Sequence, residues 1–245
     1  MAKAQNATIK VTRFDPESGG ESYVDAFDVP IVPALTVLDA LYYILDNVDG
    51  SLAFRASCRS AVCGSCAMYI NGRYRLACNT QVSVLLPGDI TVSPLPSFPV
   101  IKDLVVDLDP FWEQLERIKP YLIRRTPPPE KEFLVDPKNR NSIDEMLDCI
   151  LCAACFSSCP VVWLDKRFIG PAQMVKAYRF VQDARDQGAN ERLPILDTTH
   201  GVWRCHTVFN CTDACPKNIN CTYSIQHLKR KAAIRRLKFW SRLTS

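Results

Sequence analysis

The cysteines are the residues of this sequence whose type and spacing point most directly to chemistry. Twelve occur in 245 residues, and all but Cys221 fall into three groups. The groups read Cys58-x4-Cys63-x2-Cys66 followed by Cys78, then Cys149-x2-Cys152-x2-Cys155-x3-Cys159-Pro160, and then Cys205-x5-Cys211-x3-Cys215-Pro216. Thiolates are soft ligands that match iron and sulfide. Runs with these spacings therefore predict iron–sulfur clusters and a protein that carries electrons.

The first group has the spacing of the plant-type ligand run, which predicts that Cys58, Cys63, Cys66 and Cys78 hold a [2Fe–2S] cluster. Gly64 and the small residues around it would let backbone amides approach the inorganic sulfurs and stabilise the reduced cluster. A zinc site also takes four thiolates, but zinc sites usually pair one CxxC with another, which this loop does not. The iron interpretation is therefore favoured over zinc.

The second and third groups are interpreted together, because in two-cluster ferredoxins the fourth cysteine of each run serves the other cluster. This crossing leaves Val208 in the place of the middle cysteine of the third group. Valine has no lone pair for iron, so the cluster facing it is predicted to lack one metal. The predicted ligands are Cys149, Cys152, Cys155 and Cys215 for a [4Fe–4S] cluster, and Cys159, Cys205 and Cys211 for a [3Fe–4S] cluster.

Cys221 is the cysteine that the three groups leave over. One possibility is that it serves as a fourth ligand for the incomplete set. It lies six residues after Cys215, however, at a position that fits no ligand of the ferredoxin run. The preferred interpretation is a small, buried apolar side chain.

The elements that must position the cysteines fall into two predicted domains, residues 1–105 and 106–245. In the first, strands, a helix and a hairpin surround the cysteine loop and predict a β-grasp plant-type [2Fe–2S] ferredoxin domain. Its predicted elements are strands over 7–14 and 22–29, a helix capped by Thr36 and Asp39, a hairpin of Ala67–Ile70 and Arg73–Ala77 turned by Asn71-Gly72, and a strand over Asp89–Val92.

The second domain is predicted to be mostly α-helical and bacterial-ferredoxin-like, with cysteine loops between helices, so the predicted fold class is α+β. A stiff proline connector over Thr126–Pro129 precedes a capping box at Ser142 and Glu145. Helices are predicted over Asp109–Ile118, from Gly170-Pro171 to Asp186, and over Tyr223–Arg236.

Composition and charge narrow the class of protein. An apolar fraction of 47% is enough for real cores and argues against disorder. No export segment opens the sequence, so its thiols are expected to stay reduced, which disfavours a disulfide-rich secreted protein. No apolar stretch approaches the ~20 residues of a membrane-spanning helix. The net charge of +4 gives no reason to expect a nucleic-acid partner. Basic residues concentrate in Lys229–Arg242, which could meet an anionic membrane, a partner protein or solvent.

Four sets of motifs, in order, resemble the iron–sulfur subunit of succinate dehydrogenase and fumarate reductase, and the resemblance covers nearly the whole chain. They are Cys63-Gly64-Ser65-Cys66-Ala67-Met68 with Ile70-Asn71-Gly72, Cys149-Ile150-Leu151-Cys152, Phe168-Ile169-Gly170-Pro171-Ala172, and Arg204-Cys205-His206 with Asn210-Cys211 and Cys215-Pro216-Lys217. The resemblance implies an electron-transfer subunit of a succinate:quinone oxidoreductase, peripheral on the cytoplasmic face of a prokaryotic cell membrane. It implies three kinds of partner: a flavoprotein subunit with FAD, membrane anchor subunits and a quinone.

The resemblance also implies an order of electron transfer, from flavin through the [2Fe–2S], [4Fe–4S] and [3Fe–4S] clusters to quinone. The dicarboxylate site is expected on a partner chain, since this sequence contains no G-x-G-x-x-G for binding FAD. Pro160, Trp163 and His206 match the family's quinone pocket, although the family usually shows two adjacent tryptophans where this chain has Trp163-Leu164. Two other functions stay open: the same role in a quinol:fumarate reductase, and an independent soluble ferredoxin-type carrier.

Overall fold

The computed structural model describes residues 6–127 and 129–243, except the side chains of residue 18 and of residues 239–243. These residues form two compact units. The first unit runs to Leu108 and also includes Ile150–Ser158, and the second comprises Asp109–Cys149 and the chain from Cys159 onward. The units are therefore interleaved in sequence, unlike the continuous predicted domains 1–105 and 106–245.

A five-stranded mixed sheet forms the centre of the first unit. Its strands are β1 (Asn6–Arg13), β2 (Tyr23–Pro30), β3 (Ala67–Ile70), β4 (Arg73–Leu76) and β5 (Ile90–Ser93), in the order β2-β1-β5-β3-β4. β1 and β5 run parallel, and the other neighbouring pairs are antiparallel. The predicted strands and hairpin are confirmed to within one residue, because alternating burial marks the strands of a half-buried sheet.

One apolar core lies between this sheet and α1 (Val37–Asn47), and it buries alternate residues of β1 together with one face of α1. Thr36 and Asp39 form the predicted capping box at the start of α1. Thr36 Oγ1 accepts a hydrogen bond from Asp39 N at 3.1 Å, and Asp39 Oδ2 accepts one from Thr36 N at 3.1 Å. The box satisfies two amide donors that have no partner within the helix.

A short hairpin, β6 (Val100–Lys102) and β7 (Val105–Val106), is tied to the sheet by a buried ion pair. Arg13 at the end of β1 donates from Nε to Oδ1 of Asp103 at 3.0 Å, and both side chains are almost fully buried. Asp103 Oδ2 also accepts from Ala53 N at 2.8 Å. The network therefore holds the segment that leads into the first cysteine loop.

The second unit is helical. Its helices are α2 (Asp109–Arg117), α3 (Pro137–Leu147), α5 (Pro160–Leu164), α6 (Pro171–Gln182), α7 (Ala189–Leu196), α8 (Asn210–Asp213) and α9 (Cys221–Leu243), while α4 (Ala154–Ser157) lies in the first unit. The helices predicted at 109–118, after Gly170 and near the C-terminus are confirmed. The sequence pattern missed α7, an eight-residue helix that contains Pro194.

The predicted capping box at Ser142 and Glu145 is wrong. α3 begins after Asp136, whose carboxylate accepts from Asn139 N at 3.0 Å, and proline occupies the first helical turn. Ser142 lies inside the helix, where its hydroxyl donates to Asn139 O at 2.7 Å. Asp136 competes better for the N-cap position because it precedes Pro137, a residue that favours the start of a helix.

The predicted ends of two other helices also need correction. α6 ends at Gln182 and not at Asp186, because Asp183 has an extended conformation (φ −67°, ψ 120°). The Asp183 carboxylate accepts from the backbone N–H and the guanidinium of Arg185, which fixes the turn. α9 begins at Cys221, two residues before its predicted start, and continues to the end of the described chain.

A buried ion pair joins α7 to the segment after α2. Arg192 and Asp186 are both fully buried and lie 2.7 Å apart, and Arg192 also donates to backbone carbonyls of residues 118–121.

Pro128 of the predicted connector lies outside the described residues. Within residues 6–127 and 129–243, no helix has both the length and the apolar character needed to cross a bilayer.

Candidate iron–sulfur sites

The first cysteine loop directs its own backbone amides at cysteine sulfurs, with N···S distances of 3.3–3.5 Å. The pairs are Cys58 N with Cys63 Sγ, Ala61 N with Cys78 Sγ, and the amides of Ser60, Val62 and Cys63 with Cys58 Sγ. Amides that face sulfur stabilise thiolate charge. The loop therefore fits a cluster held by thiolates.

Positive φ angles curl this loop around its sulfurs: Arg59 and Ala61 have φ of 55°, and Gly64 has φ of 76°. The surroundings of the thiols give them different pKa values. Hydrogen bonds from Ser65 and the loop amides lower the pKa of Cys63 to about 6, whereas burial raises the pKa of Cys66 to about 12. Among the described residues, no three His, Cys, Asp or Glu side chains are arranged to hold a single metal ion.

Gly64 lies against the second cysteine run. A Cβ built at this position would stand 2.8 Å from Cys152 Cβ and 2.9 Å from Ile150 O. These distances are shorter than any real Cβ contact, and Ile150 presents backbone that cannot rotate away. Only glycine therefore allows the first cysteine loop to approach the segment that carries Cys152, and both belong to the first unit.

Side chains of the first unit hold the segment Ile150–Ser158, which contains α4. Ser157 O accepts from Tyr74 Oη at 3.3 Å and from Ser97 Oγ at 3.4 Å. Phe156 stacks on Phe98 with ring centroids 5.5 Å apart. Cys152 and Cys155 are thus positioned in the first unit, whereas the predicted co-ligands Cys149 and Cys215 belong to the second.

The second and third cysteine runs share one backbone conformation, position by position. Leu151 and Ala153 flank Cys152 with φ of 54° and 64°, and Thr207 and Phe209 flank Val208 with φ of 60° and 64°. Each run then enters a four-residue helix whose second residue is the next cysteine, in α4 and in α8. Val208 therefore occupies the structural position of Cys152, as its spacing predicted.

Lysines add a second parallel between the runs. Lys176 Nζ on α6 donates to Cys149 O at 2.9 Å, and Lys229 Nζ on α9 donates to Cys205 O at 2.8 Å. Each lysine thus binds the carbonyl of the first cysteine in a run. Sequence analysis missed both, because the partners are 27 and 24 residues apart. Lys229 is also the first residue of the basic segment Lys229–Arg242, and its ammonium group is bound to the cysteine loop.

The three cysteines predicted to hold the [3Fe–4S] cluster line a small cavity in the second unit. Cys159, Cys205, Cys211, Val208 and His206 line it, and its volume is about 20 Å³. Burial raises the pKa of Cys159 to about 11. The cavity offers three thiols and one side chain that cannot bind a metal, which fits a cluster with three iron ligands.

Cys221 is buried, with 2% of its surface exposed, as predicted. Its thiol is not merely apolar, however. A hydrogen bond from Cys221 lowers the pKa of Cys211 to about 7 and that of Cys215 to about 6. One thiol therefore contacts a predicted ligand of each of the two clusters. Its neighbour Thr222 lies 3.8 Å from Cys211 Sγ through Oγ1.

The three residues matched to a quinone pocket differ in their relation to the cavity at the third run. His206 lines the cavity with the third cysteine group, whereas Pro160 and Trp163 are not among its lining residues in the described chain. Pro160 starts α5 directly after Cys159, and Trp163 on the same helix is half exposed.

Asp165 is a positioning residue that the sequence analysis missed. It follows α5, is almost buried, and accepts from His200 Nδ1 at 2.9 Å and from Arg167 N at 3.1 Å. Burial alone would raise the pKa of Asp165, but the bonds from Arg167 and His200 lower it to about 2. Arg204, next to Cys205, lies 3.4 Å away. The carboxylate thus ties the end of α5 to the loop that carries Cys205.

Comparisons with known proteins identify the family to which the chain belongs. A family model described as a 2Fe-2S iron-sulfur cluster binding domain matches residues 8–113, and one described as a 4Fe-4S dicluster domain matches residues 145–219. The fumarate reductase iron-sulfur subunit of Mycobacterium tuberculosis is 41% identical over 232 residues, or 94% of each chain. The succinate dehydrogenase iron-sulfur subunit of Paracoccus denitrificans is 41% identical over 221 residues, or 89% of this chain and 85% of that one. The chain belongs to the family of succinate dehydrogenase and fumarate reductase iron–sulfur subunits.

A solved structure supports the same family at the level of the fold. A chain of the Mycobacterium smegmatis Sdh1 complex in the apo form superposes with a TM-score of 0.78 at 28% identity, covering 96% of this chain and 98% of that one. The predicted fold class, a plant-type [2Fe–2S] domain followed by a helical bacterial-ferredoxin-like domain, is confirmed. As a member of the family, the chain is an electron-transfer subunit of a succinate-oxidising or fumarate-reducing enzyme complex.

Proposed function

We propose that this subunit relays electrons from a flavoprotein partner, where FAD oxidises succinate to fumarate, to a quinone held with membrane anchor subunits. The clusters, when bound, supply one-electron redox chemistry. The observation that carries the proposal is the third cysteine group, in which Val208 has the backbone position of a ligand and no ligand atom. A terminal three-iron site is what distinguishes this relay from a two-cluster ferredoxin.

The proposed ligands are those of the three cysteine groups. Cys58, Cys63, Cys66 and Cys78 would hold [2Fe–2S], Cys149, Cys152, Cys155 and Cys215 would hold [4Fe–4S], and Cys159, Cys205 and Cys211 would hold [3Fe–4S]. Backbone amides that face Cys58 Sγ, and the Cys221 thiol beside Cys211 and Cys215, stabilise the negative charge that these thiolates carry. Gly64 brings the first loop against Cys152, so the first and second ligand sets lie on adjoining segments.

The surface around the third group supports a membrane-side partner. Four large apolar side chains have 48–85% of their surface exposed: Trp163, Leu164, Val208 and Phe209. Exposed apolar clusters of this kind favour an interface with a membrane or protein. In the proposed complex this surface meets the anchor subunits and quinone, with His206 beside the cluster as a proton donor and Pro160 and Trp163 nearby. The subunit itself would be peripheral, on the cytoplasmic face of a prokaryotic membrane.

Fumarate reduction is the second candidate function, because the relatives include subunits named for each direction. The same residues would then carry electrons the opposite way. An independent ferredoxin-type carrier is disfavoured by the exposed apolar surface at the third group, which a free carrier has no need of.

Val208→Cys is the variant that tests the proposal. A thiol at the Cys152-like position should bind a fourth iron, which would replace the electron paramagnetic resonance signal of an oxidised three-iron cluster and lower that cluster's reduction potential. Val84→Cys is the matched control, since Val84 is 70% exposed in the first unit and should leave all signals unchanged. A three-iron signal that persists in Val208→Cys would contradict the ligand assignment, and isolation without a flavoprotein would contradict the complex.

A further inference from the structure

A basic cleft in the second unit has no role in the proposed electron relay. It lies between α7 and α9 and has a volume of about 740 Å³. Its charged lining comes entirely from α9, where Lys231, Arg235, Arg236 and Lys238 recur at helical spacing. Leu193 of α7 and Ile234 of α9 line the same cleft. The cleft is thus within the range of ligand-binding pockets and combines four cations with an apolar wall.

The two arginines are held in place by Asp197 at the end of α7. Arg236 Nε donates to Asp197 Oδ1 at 2.8 Å, and Arg235 lies 3.8 Å from Oδ2. Trp203 donates from Nε1 to the same carboxylate and lies 5.1 Å below the Arg236 guanidinium. A single buried carboxylate therefore orders two guanidinium groups, and its one negative charge stands against their two positive charges.

Apolar surface continues beyond the cations. Ile234 is 43% exposed, and Leu237, on the next turn of α9, is 70% exposed. A phosphate ion or a soluble nucleotide would leave these side chains in water. A phospholipid would use both parts, because its phosphate can accept from guanidinium and ammonium groups while its acyl chains cover Leu193, Ile234 and Leu237.

We propose that the cleft between α7 and α9 binds the phosphate of an anionic phospholipid, so that this face of α9 lies on the membrane surface. The arginines bind the phosphate, and Lys231 and Lys238 add attraction to an anionic bilayer. The proposal does not depend on which cysteines bind which cluster, since no cysteine lines the cleft. Its failure would leave the electron relay untouched.

Vesicle binding by the full chain, purified with its clusters, tests the proposal. Vesicles of equal parts phosphatidylglycerol and phosphatidylcholine should bind the chain, and vesicles of phosphatidylcholine alone should not. The double variant Lys231→Gln with Lys238→Gln should bind the anionic vesicles about 30-fold more weakly, from two basic residues near an anionic surface. Both arginines are kept, so that the Asp197 cluster stays intact. Visible absorption of the clusters checks that each variant is folded.

The matched control is Lys131→Gln with Lys138→Gln, which removes the same charge from two exposed lysines outside the cleft. Equal losses in the two double variants would overturn the proposal, because binding would then follow net charge alone. Ile234→Ser should weaken vesicle binding several-fold and leave binding of inorganic phosphate unchanged. If inorganic phosphate at matched ionic strength displaces the vesicles, or Ile234→Ser binds them normally, the ligand is a soluble phosphate and the lipid proposal is wrong.

Discussion

At the residue scale, three positions decide what the cysteine groups can do. Val208 has the backbone of a ligand without its lone pair, which makes the third group a three-thiol site. Gly64 permits the close approach of the first loop to Cys152. Cys221 binds no metal in the proposed assignment, yet its single S–H is close enough to serve a sulfur of either of two ligand sets, at Cys211 or at Cys215. Hydrogen bonds to ligand sulfurs are among the main determinants of cluster potential.

Replacing Cys221 separates hydrogen bonding from ligation. Cys221→Ala should retain all clusters but lower the potential of the [3Fe–4S] or the [4Fe–4S] site, according to which sulfur accepts the single thiol hydrogen, because that reduced cluster carries more negative charge and loses a donor. A hydrogen bond of about 1 kcal/mol corresponds to about 40 mV for a one-electron couple. Cys221→Ser keeps a donor and should restore most of the shift. A redox titration followed by paramagnetic resonance measures both. Loss of a cluster in Cys221→Ser would instead make Cys221 a ligand.

Gly64→Ala should disrupt the first cysteine loop. The new Cβ would overlap Cys152 and the backbone of Ile150, in addition to the left-handed strain of about 1–2 kcal/mol for a residue with a Cβ. Gly72→Ala is the control, because Gly72 has a similar φ of 73° and nothing within 4 Å of the added carbon. The [2Fe–2S] content and the unfolding midpoint should fall much further for Gly64→Ala. Equal effects would show that the close approach carries no cost.

At the scale of elements, residues close together in the sequence determine where helices begin. The capping box of α1 forms where Thr36 and Asp39 predict it, because both partners lie within one turn. The box predicted for α3 fails, because Asp136 and Pro137 start that helix earlier. In the turns that enter α4 and α8, the residues on either side of Cys152 and of Val208 have the same left-handed backbone conformation. In the proposed assignment, this repeated backbone carries a ligand at Cys152 and no ligand at Val208.

Asp136→Ala and Ser142→Ala form a matched pair for the start of α3. Removing the observed cap should lower the free energy of unfolding by about 1 kcal/mol. Removing the Ser142 hydroxyl, which bonds only to a carbonyl inside the helix, should cost less, since alanine is the better helix former. Urea unfolding of the two variants measures the difference. A larger loss for Ser142→Ala would favour the helix start that the sequence pattern predicted.

At the scale of the whole molecule, the two units are built in different ways. The first unit buries a continuous apolar core between its sheet and α1. In the second unit, cysteine loops lie between helices, and all three proposed [3Fe–4S] ligands belong to this unit. Cluster binding free energy adds to folding free energy where the ligands are brought together only in the native state.

Removal of the clusters by a chelator under reducing conditions should therefore destabilise the second unit more than the first. All four tryptophans of the chain lie at or beyond position 112, so tryptophan fluorescence reports on residues of the second unit alone. Its urea midpoint should fall in the cluster-free chain, while hydrogen exchange at β1 and β5 should stay slow. Parallel loss of protection in the sheet would mean that the units unfold as one.

The intact chain should contain about nine irons, the sum of two, four and three.

Much of the fold and of the candidate site could be predicted from spacing alone. The strands of the first unit, the helix capped by Thr36 and the grouping of eleven cysteines all depend on residues close together in the sequence. The place of Val208 in the third run depends on spacing in the same way. Lys176, Lys229 and Asp165 could not be found, because each meets a partner more than 20 residues away and no local pattern marks a lysine or aspartate for such a contact.

The sequence by itself determined which side chains can bind iron and which position cannot, since ligand chemistry and run spacing are properties of neighbouring residues. Only the tertiary structure decided that Ile150–Ser158 packs with the first unit, that Cys221 interacts with Cys211 and Cys215, and that α7 and α9 enclose a basic cleft. These features depend on which distant surfaces bury each other. Apolar burial is non-directional, so its outcome is set by the packing of the whole chain and not by any one segment.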